Sequence, residues 1–342
     1  MKRLFALVIA LACLFGAALA EQGSMGQINR DLAKGGNWQR IVEDSDFVLG
    51  ELTPLGNGIF EKSYGTYPCI DGSTVSMAMV REFAWQHQVV KDEDVPGFVF
   101  LSTTHSAYEH LIFKKPNGSS MVASEMAMMD IAHPVDLMIG TEPSDEELKM
   151  AEENGVKLVI EPVCLDAFVF ITHKDNPVTN LSSDQIRAIY KGEITNWKEV
   201  GGYDAEIHAY RREKNSGSET GMETLVMKGE AMPAAQEIYT TGEMEGLVRQ
   251  IGNFESGPQS LGYTYLYYIT NLYLDENVKT ISVDGTAPIE ENIRSGAYPY
   301  STKYYGVIRG GEENMTGGRF LDWMLSQEGQ ACIAQAGYIT LK

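Results

Sequence analysis

The sequence predicts an α/β protein built of two lobes, and three observations carry that prediction. From Tyr67 to the C-terminus, strand-like apolar runs alternate with stretches of helical periodicity. Two turns rich in glycine and hydroxyl residues, Asp71-Gly72-Ser73-Thr74 and Ser216-Gly217-Ser218, each open a helical pattern and lie about 140 residues apart. The chain has 342 residues, enough to bury a large core and to divide into two lobes.

The first segment stands apart from the fold. Met1-Lys2-Arg3, an apolar run from Leu4 to Ala17 and Ala18-Leu19-Ala20 form the charged, apolar and cleavage regions of a secretory leader over residues 1–20. The protein is therefore expected to be exported, to the periplasm or cell surface. Cys13 follows Ala10-Leu11-Ala12, a poor match to a lipoprotein cleavage box, and a lipid anchor there is the minor alternative. Residues 21–59 read as a glycine-rich extension with a short helix near Trp38–Val42. A strand-like run over Tyr67–Ile70 leads into the first hydroxyl turn. Val75, Met79, Val80 and Phe83 then share one helical face.

Phe98–Leu101 reads as a strand, Ser102–Ala107 as a polar turn and Tyr108–Ile112 as helix. The methionines at 121, 126, 128 and 129 suit a core or a groove cover better than a metal. Val135–Gly140 is a compact strand, after which Ser144 and Glu147 match a capping box for a helix ending near Gly155. Val156–Val163 and Ala167–Thr172 read as two strands, and Ser182 with Gln185 caps a helix through Tyr190 that Gly192 ends. Gly201-Gly202 turns the chain into a strand over Ile207–Tyr210. Tyr263–Tyr273 holds five tyrosines and is expected to be buried strand plus an adjoining element. Tyr304–Arg309 is a strand and Arg319–Ala336 a terminal helix with Leu321, Met324 and Leu325 inward.

Charge and cysteine usage narrow the function. The net charge is −20, and two units more negative once Lys2 and Arg3 leave with the leader. Such a surface repels nucleic acid and anionic membrane at long range. It leaves room for a buried anion site, which local dipoles and a buried cation govern. Cys69, Cys164 and Cys332 show no C-x-x-C spacing and read as packing residues.

The chemistry concentrates at the two turns. A helix start leaves backbone N–H groups unpaired, with partial positive charge beside them. Glycine and small hydroxyls let an anion approach closely. Arg212, four residues before Ser216, adds a planar fork of donors. Two readings stand from these residues: one oxyanion gripped between the turns, or two unrelated helix caps.

In order along the chain, Tyr67-Pro-Cys-Ile-Asp-Gly-Ser-Thr74, Ile194-Thr-Asn-Trp-Lys-Glu-Val-Gly-Gly202, Arg212-x-x-x-Ser-Gly-Ser218, Ser282-Val-Asp-Gly-Thr-Ala-Pro288 and Trp323-Met-Leu-Ser-Gln-Glu-Gly-Gln330 resemble the phosphate-binding proteins of bacterial ABC importers. The resemblance runs from about residue 60 to the end. It implies a type II periplasmic-binding-protein fold: two α/β lobes joined by two hinge strands, with dehydrated phosphate in the cleft. It places the crossings at Ala167–Thr172 and Tyr304–Ile308, the first lobe at residues 60–165 with 304–342, and the second at 166–303. Carried over position by position, it makes Ser73, Thr74 and either Thr104 or Ser106 donors from the first lobe. Arg212, Ser216, Gly217 and Ser218 donate from the second. Many members carry an aspartate after the strand matching Val135–Gly140; this chain has Glu142 there. Glu142 either accepts the ligand's proton, rejecting sulfate, or supports the helix N-terminus beside Ser144.

The resemblance implies a monomeric receptor for inorganic phosphate that docks on a membrane permease, with no metal, cofactor or nucleic acid. The same fold carrying molybdate, phosphonate or another small oxyanion is the first alternative. A secreted phosphatase with Ser73 or Ser216 as nucleophile and His105 or His208 as base is the second, against which stands the lack of a G-x-S-x-G elbow.

Overall fold

A computed structural model describes residues 39–48, 52–56, 59–62, 66–89, 99, 101–116, 133–233, 240–241, 244–253 and 257–342. Residues 1–38, with the leader expected over 1–20, and the methionines at 121, 126, 128 and 129 fall outside these residues.

Residues 39–42 form no helix, unlike the short helix expected near Trp38–Val42, whose Trp38 lies outside the described residues. Backbone N–H groups there are taken by a side chain instead of by a helix: those of Ile41 and Val42 donate to Gln86 Oε1 at 2.8 and 3.3 Å. Phe47 then sets its ring edge-on to Phe320, centroids 4.8 Å apart. A hairpin follows, β1 (Leu52–Gly56) with β2 (Ile59–Lys62). β3 (Ile70–Gly72) leads through a 3₁₀ turn (Thr74–Ser76) into α1 (Met77–Gln86), where Val75, Met79, Val80 and Phe83 are all buried as their spacing requires. α2 (Thr104–Ile112) begins four residues earlier than the sequence suggests. The polar residues 104–107 form its first turn, because Ala107 faces the core beside Leu111. Val99 and Leu101 belong to no strand, and the rest of Phe98–Leu101 lies outside the described residues.

β4 (Leu137–Gly140) runs parallel to β3. Its alternation is legible in the packing: Leu137 and Ile139 face the cluster containing α1, Met138 the one beneath α2. α3 (Asp145–Glu153) carries the expected box, Ser144 accepting from Glu147 N–H and Glu147 from Ser144 N–H. The two strands expected over Val156–Val163 and Ala167–Thr172 are one, β5 (Leu158–His173), 16 residues long. Nothing in the intervening Cys164-Leu165-Asp166 breaks an extended backbone, and a register shift beside Pro162 absorbs the proline within the first half of the strand.

β6 (Asn180–Leu181) precedes α4 (Ser183–Tyr190), capped by Ser182 and Gln185. The strand expected over Ile207–Tyr210 is split into β7 (His208–Ala209) and β8 (Arg211–Arg212), with Tyr210 N–H bonded to Leu261 O between them. α5 (Gly217–Gly221) continues as a π-turn through Val226. β9 (Thr240–Thr241) pairs with β8, and α6 (Met244–Gly252) leads to β10 (Ser260–Tyr265), buried throughout as expected, then a π-turn over Tyr268–Leu272. β11 (Val278–Thr280), β12 (Ser282–Val283) and α7 (Glu290–Arg294) precede β13 (Ser301–Arg309). The single terminal helix expected over Arg319–Ala336 is two, α8 (Thr316–Leu325) and α9 (Gln327–Gln335). Ser326 turns extended between them and caps the second by accepting from Gly329 N–H.

One sheet, ordered β3-β4-β13-β5-β10-β7 with β11 also on β5, threads both lobes. β5 pairs with β13 over Leu158–Ala167 and with β10 from Phe168 to Thr172. It thus changes partner at the N-terminal edge of the crossing placed at Ala167–Thr172. Within the crossing placed at Tyr304–Ile308, Tyr305–Val307 lies between β4 and the first half of β5.

Asp166 sits where β5 changes partner, buried, accepting from Ala167 N–H (2.8 Å), Tyr267 N–H (3.2 Å) and the Tyr304 hydroxyl. Burial pushes its carboxyl up to about 7 against those three donors. Folding therefore favours the protonated acid. That stabilisation is complete below the unfolded value of about 3.9 and is lost as pH rises through about 7. Thermal unfolding of the ligand-free protein and its Asp166→Asn variant tests this. The variant should gain on the wild type from about pH 4 to about pH 7 and no further above it, whereas a gap independent of pH would contradict the assignment.

Candidate functional site

In the first lobe the ends of β3 and β4 are pressed together. A Cβ on Gly72 would sit 2.1 Å from Ile139 O, so no larger residue fits there. Ser73 N–H donates to Ile139 O at 3.0 Å, and a Cβ on Gly140 would lie 3.1 Å from that of Ser73. Thr74, half-buried, starts the 3₁₀ turn. Thr104 is buried at the head of α2, whereas the Ser106 hydroxyl accepts from Thr103 Oγ1 at 3.3 Å. The Tyr108 hydroxyl donates to Thr141 O at 2.9 Å, tying α2 to the turn after β4.

In the second lobe Arg212 is buried, 9% exposed, and burial holds its guanidinium below the usual arginine range. A desolvated cation of this kind is stabilised by a nearby oxyanion. Its main chain is anchored, Arg212 N–H donating to Tyr263 Oη (3.0 Å) and Glu219 Oε2 (3.2 Å). Glu219 in turn takes Arg211 Nε at 3.0 Å and the Tyr263 hydroxyl. Ser216 caps α5 by accepting from Glu219 N–H at 3.2 Å, which leaves its own O–H to donate. Tyr265 donates to Gly217 O at 2.9 Å. Ser218 Oγ is buried and has no hydrogen-bond partner among the described residues, an orphan that a polar ligand would satisfy.

The two halves meet. A Cβ on Gly217 would stand 2.5 Å from Thr141 Oγ1 and 2.7 Å from Thr104 Oγ1. The start of α5 thus rests directly on two first-lobe hydroxyls, beside Gly140 and Ser73. Outside them Lys214 Nζ reaches Glu146 Oε2 at 2.8 Å, an exposed ion pair between the lobes that holds the Glu146 carboxyl below its usual range. Glu142 is exposed, and the start of α3 is served by Ser144 and Glu147 without it. Its charge is nonetheless felt at Tyr108 and Tyr265.

The sequence reading missed Thr141, Tyr108, Tyr265 and Glu219. Thr141 had a signal, standing first after β4 where an acidic residue was sought one position on. The tyrosines had none, since hydroxyls aimed at distant backbone look like core aromatics in a linear chain. Among the described residues no group of three or more His, Cys, Asp or Glu is placed to hold a metal ion, and Cys69, Cys164 and Cys332 are buried free thiols.

Two α/β lobes threaded by a shared pair of strands, with the start of α5 seated against Thr104 and Thr141, define a two-lobed solute-binding protein. Residues 117–328 match the PBP superfamily domain. Two relatives, each named phosphate-binding protein PstS, are 30% identical over 200 residues (Borreliella burgdorferi) and 29% identical over 192 (Bacillus subtilis). These alignments cover 56% and 55% of this chain, and 68% and 60% of the relatives. A phosphate ABC transporter substrate-binding protein from Clostridium perfringens, solved with bound phosphate, is 27% identical with a TM-score of 0.56, over 80% of this chain and 98% of that one. An ABC-type phosphate transport receptor from Vibrio cholerae, 21% identical with a TM-score of 0.54 over 79% of this chain and 98% of that one, shares the fold. The chain belongs to the PBP superfamily, in its family of phosphate-binding proteins of ABC importers.

Proposed function

We propose that this protein captures inorganic phosphate between its lobes, outside the cytoplasm, and delivers it to the permease of an ABC transporter. The observation that carries this reading is the seating of Gly217 against Thr104 and Thr141, with Arg212 buried in the same lobe as Gly217. The relatives named for phosphate binding, and the solved relative holding phosphate, supply the identity of the oxyanion. Ser73, Thr74, Thr104 and Thr141 donate from the first lobe, residues 60–165 with 304–342. Arg212, Ser216, Gly217 and Ser218 donate from the second, residues 166–303. Glu142 stands at the rim, where its charge disfavours a fully ionised oxyanion. The protein acts as a monomer, and the rims of both lobes meet the permease only when closure brings them into register.

Hydrolysis is disfavoured by the hydrogen bonding: neither the Ser73 nor the Ser216 hydroxyl is bonded to a histidine among the described residues, and His105 Nδ1 is tied to Glu147 Oε1 at 3.0 Å. Calorimetric titration of ligand-stripped protein should show tight phosphate binding, displaced by arsenate and untouched by sulfate or molybdate. Binding of sulfate or molybdate in preference would transfer the reading to another oxyanion. Turnover of a chromogenic phosphate ester would transfer it to an enzyme.

A further inference from the structure

Behind the first-lobe turns lies a carboxylate that the binding set does not use. Asp71 is wholly buried. Its Oδ1 accepts from Gly72 N–H at 2.7 Å and from Ser102 N–H at 2.8 Å. Its Oδ2 accepts from Ser102 Oγ at 2.9 Å and lies 2.7 Å from His110 Nδ1. Each oxygen thus has two donors, and they come from three places: the end of β3, the loop before α2, and the second turn of α2 itself. Gly72 immediately precedes Ser73-Thr74, and Ser102 precedes Thr103-Thr104. One side chain therefore joins the two turns that present first-lobe donors, although they are 31 residues apart in sequence.

We infer that Asp71, held by His110, is the positioning group that sets the spacing of Ser73 and Thr104 for the ligand. This inference rests on the phosphate reading above. Two physical effects act together. The first is geometric: without a shared acceptor, the β3 turn and the loop before α2 each keep only their own backbone contacts, and donors displaced by a fraction of an ångström lose much of their pull on an oxyanion. The second is electrostatic. A buried anion behind an anion site repels the ligand unless its charge is spread into donors. His110 supplies a side-chain N–H to that charge from α2. Its Nδ1 must carry a proton to do so, whether the ring is neutral or charged.

Phosphate affinity and phosphate-free melting temperature, measured together on the full mature chain, decide the matter. Asp71→Asn leaves an amide that cannot accept from both Ser102 Oγ and His110, and should weaken phosphate binding by at least about tenfold. His110→Leu should weaken it to a similar degree. His110→Asn, whose amide nitrogen sits near the Nδ1 position, should recover most of that loss. Ser102→Ala, which removes one donor and keeps the backbone contact, should cost about threefold and serves if the stronger variants do not fold. A merely structural network would lower the melting temperature while folded variants kept wild-type affinity, and that result would overturn the inference. So would equal affinities for His110→Leu and His110→Asn, or wild-type affinity in Ser102→Ala. Wild-type protein that binds no phosphate, or an Arg212→Ala control that binds it normally, would instead bring down the functional reading on which this one stands.

Discussion

Arg212→Ala should abolish measurable phosphate binding while leaving the phosphate-free protein folded. The guanidinium is the buried cation of the second-lobe half-site, and its burial already lowers its preference for the charged form. Hydrogen bonds to charged groups contribute about 1.5–3 kcal/mol each, and a guanidinium can make two to one oxyanion. Losing both costs about 3–6 kcal/mol, or roughly a hundredfold to ten-thousandfold in affinity. Removing a desolvated cation costs the empty fold little, and the main-chain bonds from Arg212 N–H to Tyr263 and Glu219 survive the substitution. Calorimetric titration checks the first half of the expectation and thermal unfolding without phosphate the second. Near wild-type affinity in a folded variant would remove Arg212 from the site. Arg212→Lys should rescue only in part, since a point charge cannot make the paired contacts of the planar fork.

Gly217→Ala should weaken phosphate binding by about ten- to a hundredfold through a different route. The added methyl would lie 2.5 Å from Thr141 Oγ1 and 2.7 Å from Thr104 Oγ1, closer than carbon and oxygen tolerate. No left-handed backbone is involved; the constraint is the approach of one lobe to the other. Gly217 contributes no side chain to the hydrophobic core, so the strain of about 1–3 kcal/mol falls on closure. Small-angle scattering with saturating phosphate should show less compaction than in the wild type. Thr141→Ala combined with Gly217→Ala should recover part of the closure by removing the nearer oxygen. If Gly217→Ala binds and closes as the wild type does, the two lobes do not meet at this residue.

How far the chain could be read depended on the range of each interaction. The boxes at Ser144–Glu147 and Ser182–Gln185 were legible because both partners lie within one helical turn. Asp166 could not be recognised as a hinge acid, since its donors Tyr267 and Tyr304 come from 101 and 138 residues away. The join between the two expected strands around Ala167 was hidden for a similar reason. Apolar runs show where a strand is buried, but a change of pairing partner within it leaves no mark on its own composition. Ser326 gave little sign that it would divide the terminal helix, because serine can sit inside a helix or cap one.

From the sequence alone came the alternation of strands and helices, the two hydroxyl turns at helix starts, the cation at Arg212 and the motifs that place the chain among phosphate-binding proteins. Each is written in neighbouring residues, where periodicity and capping are local effects of backbone geometry. Tertiary structure alone decided that Thr141 rather than Glu142 lies against Gly217, that Thr104 is buried there while Ser106 turns to Thr103, and that Asp71 joins two turns through one carboxylate. Those outcomes depend on how closely separate strand ends and helix starts pack, and such distances are set only when the sheet and both lobes have assembled.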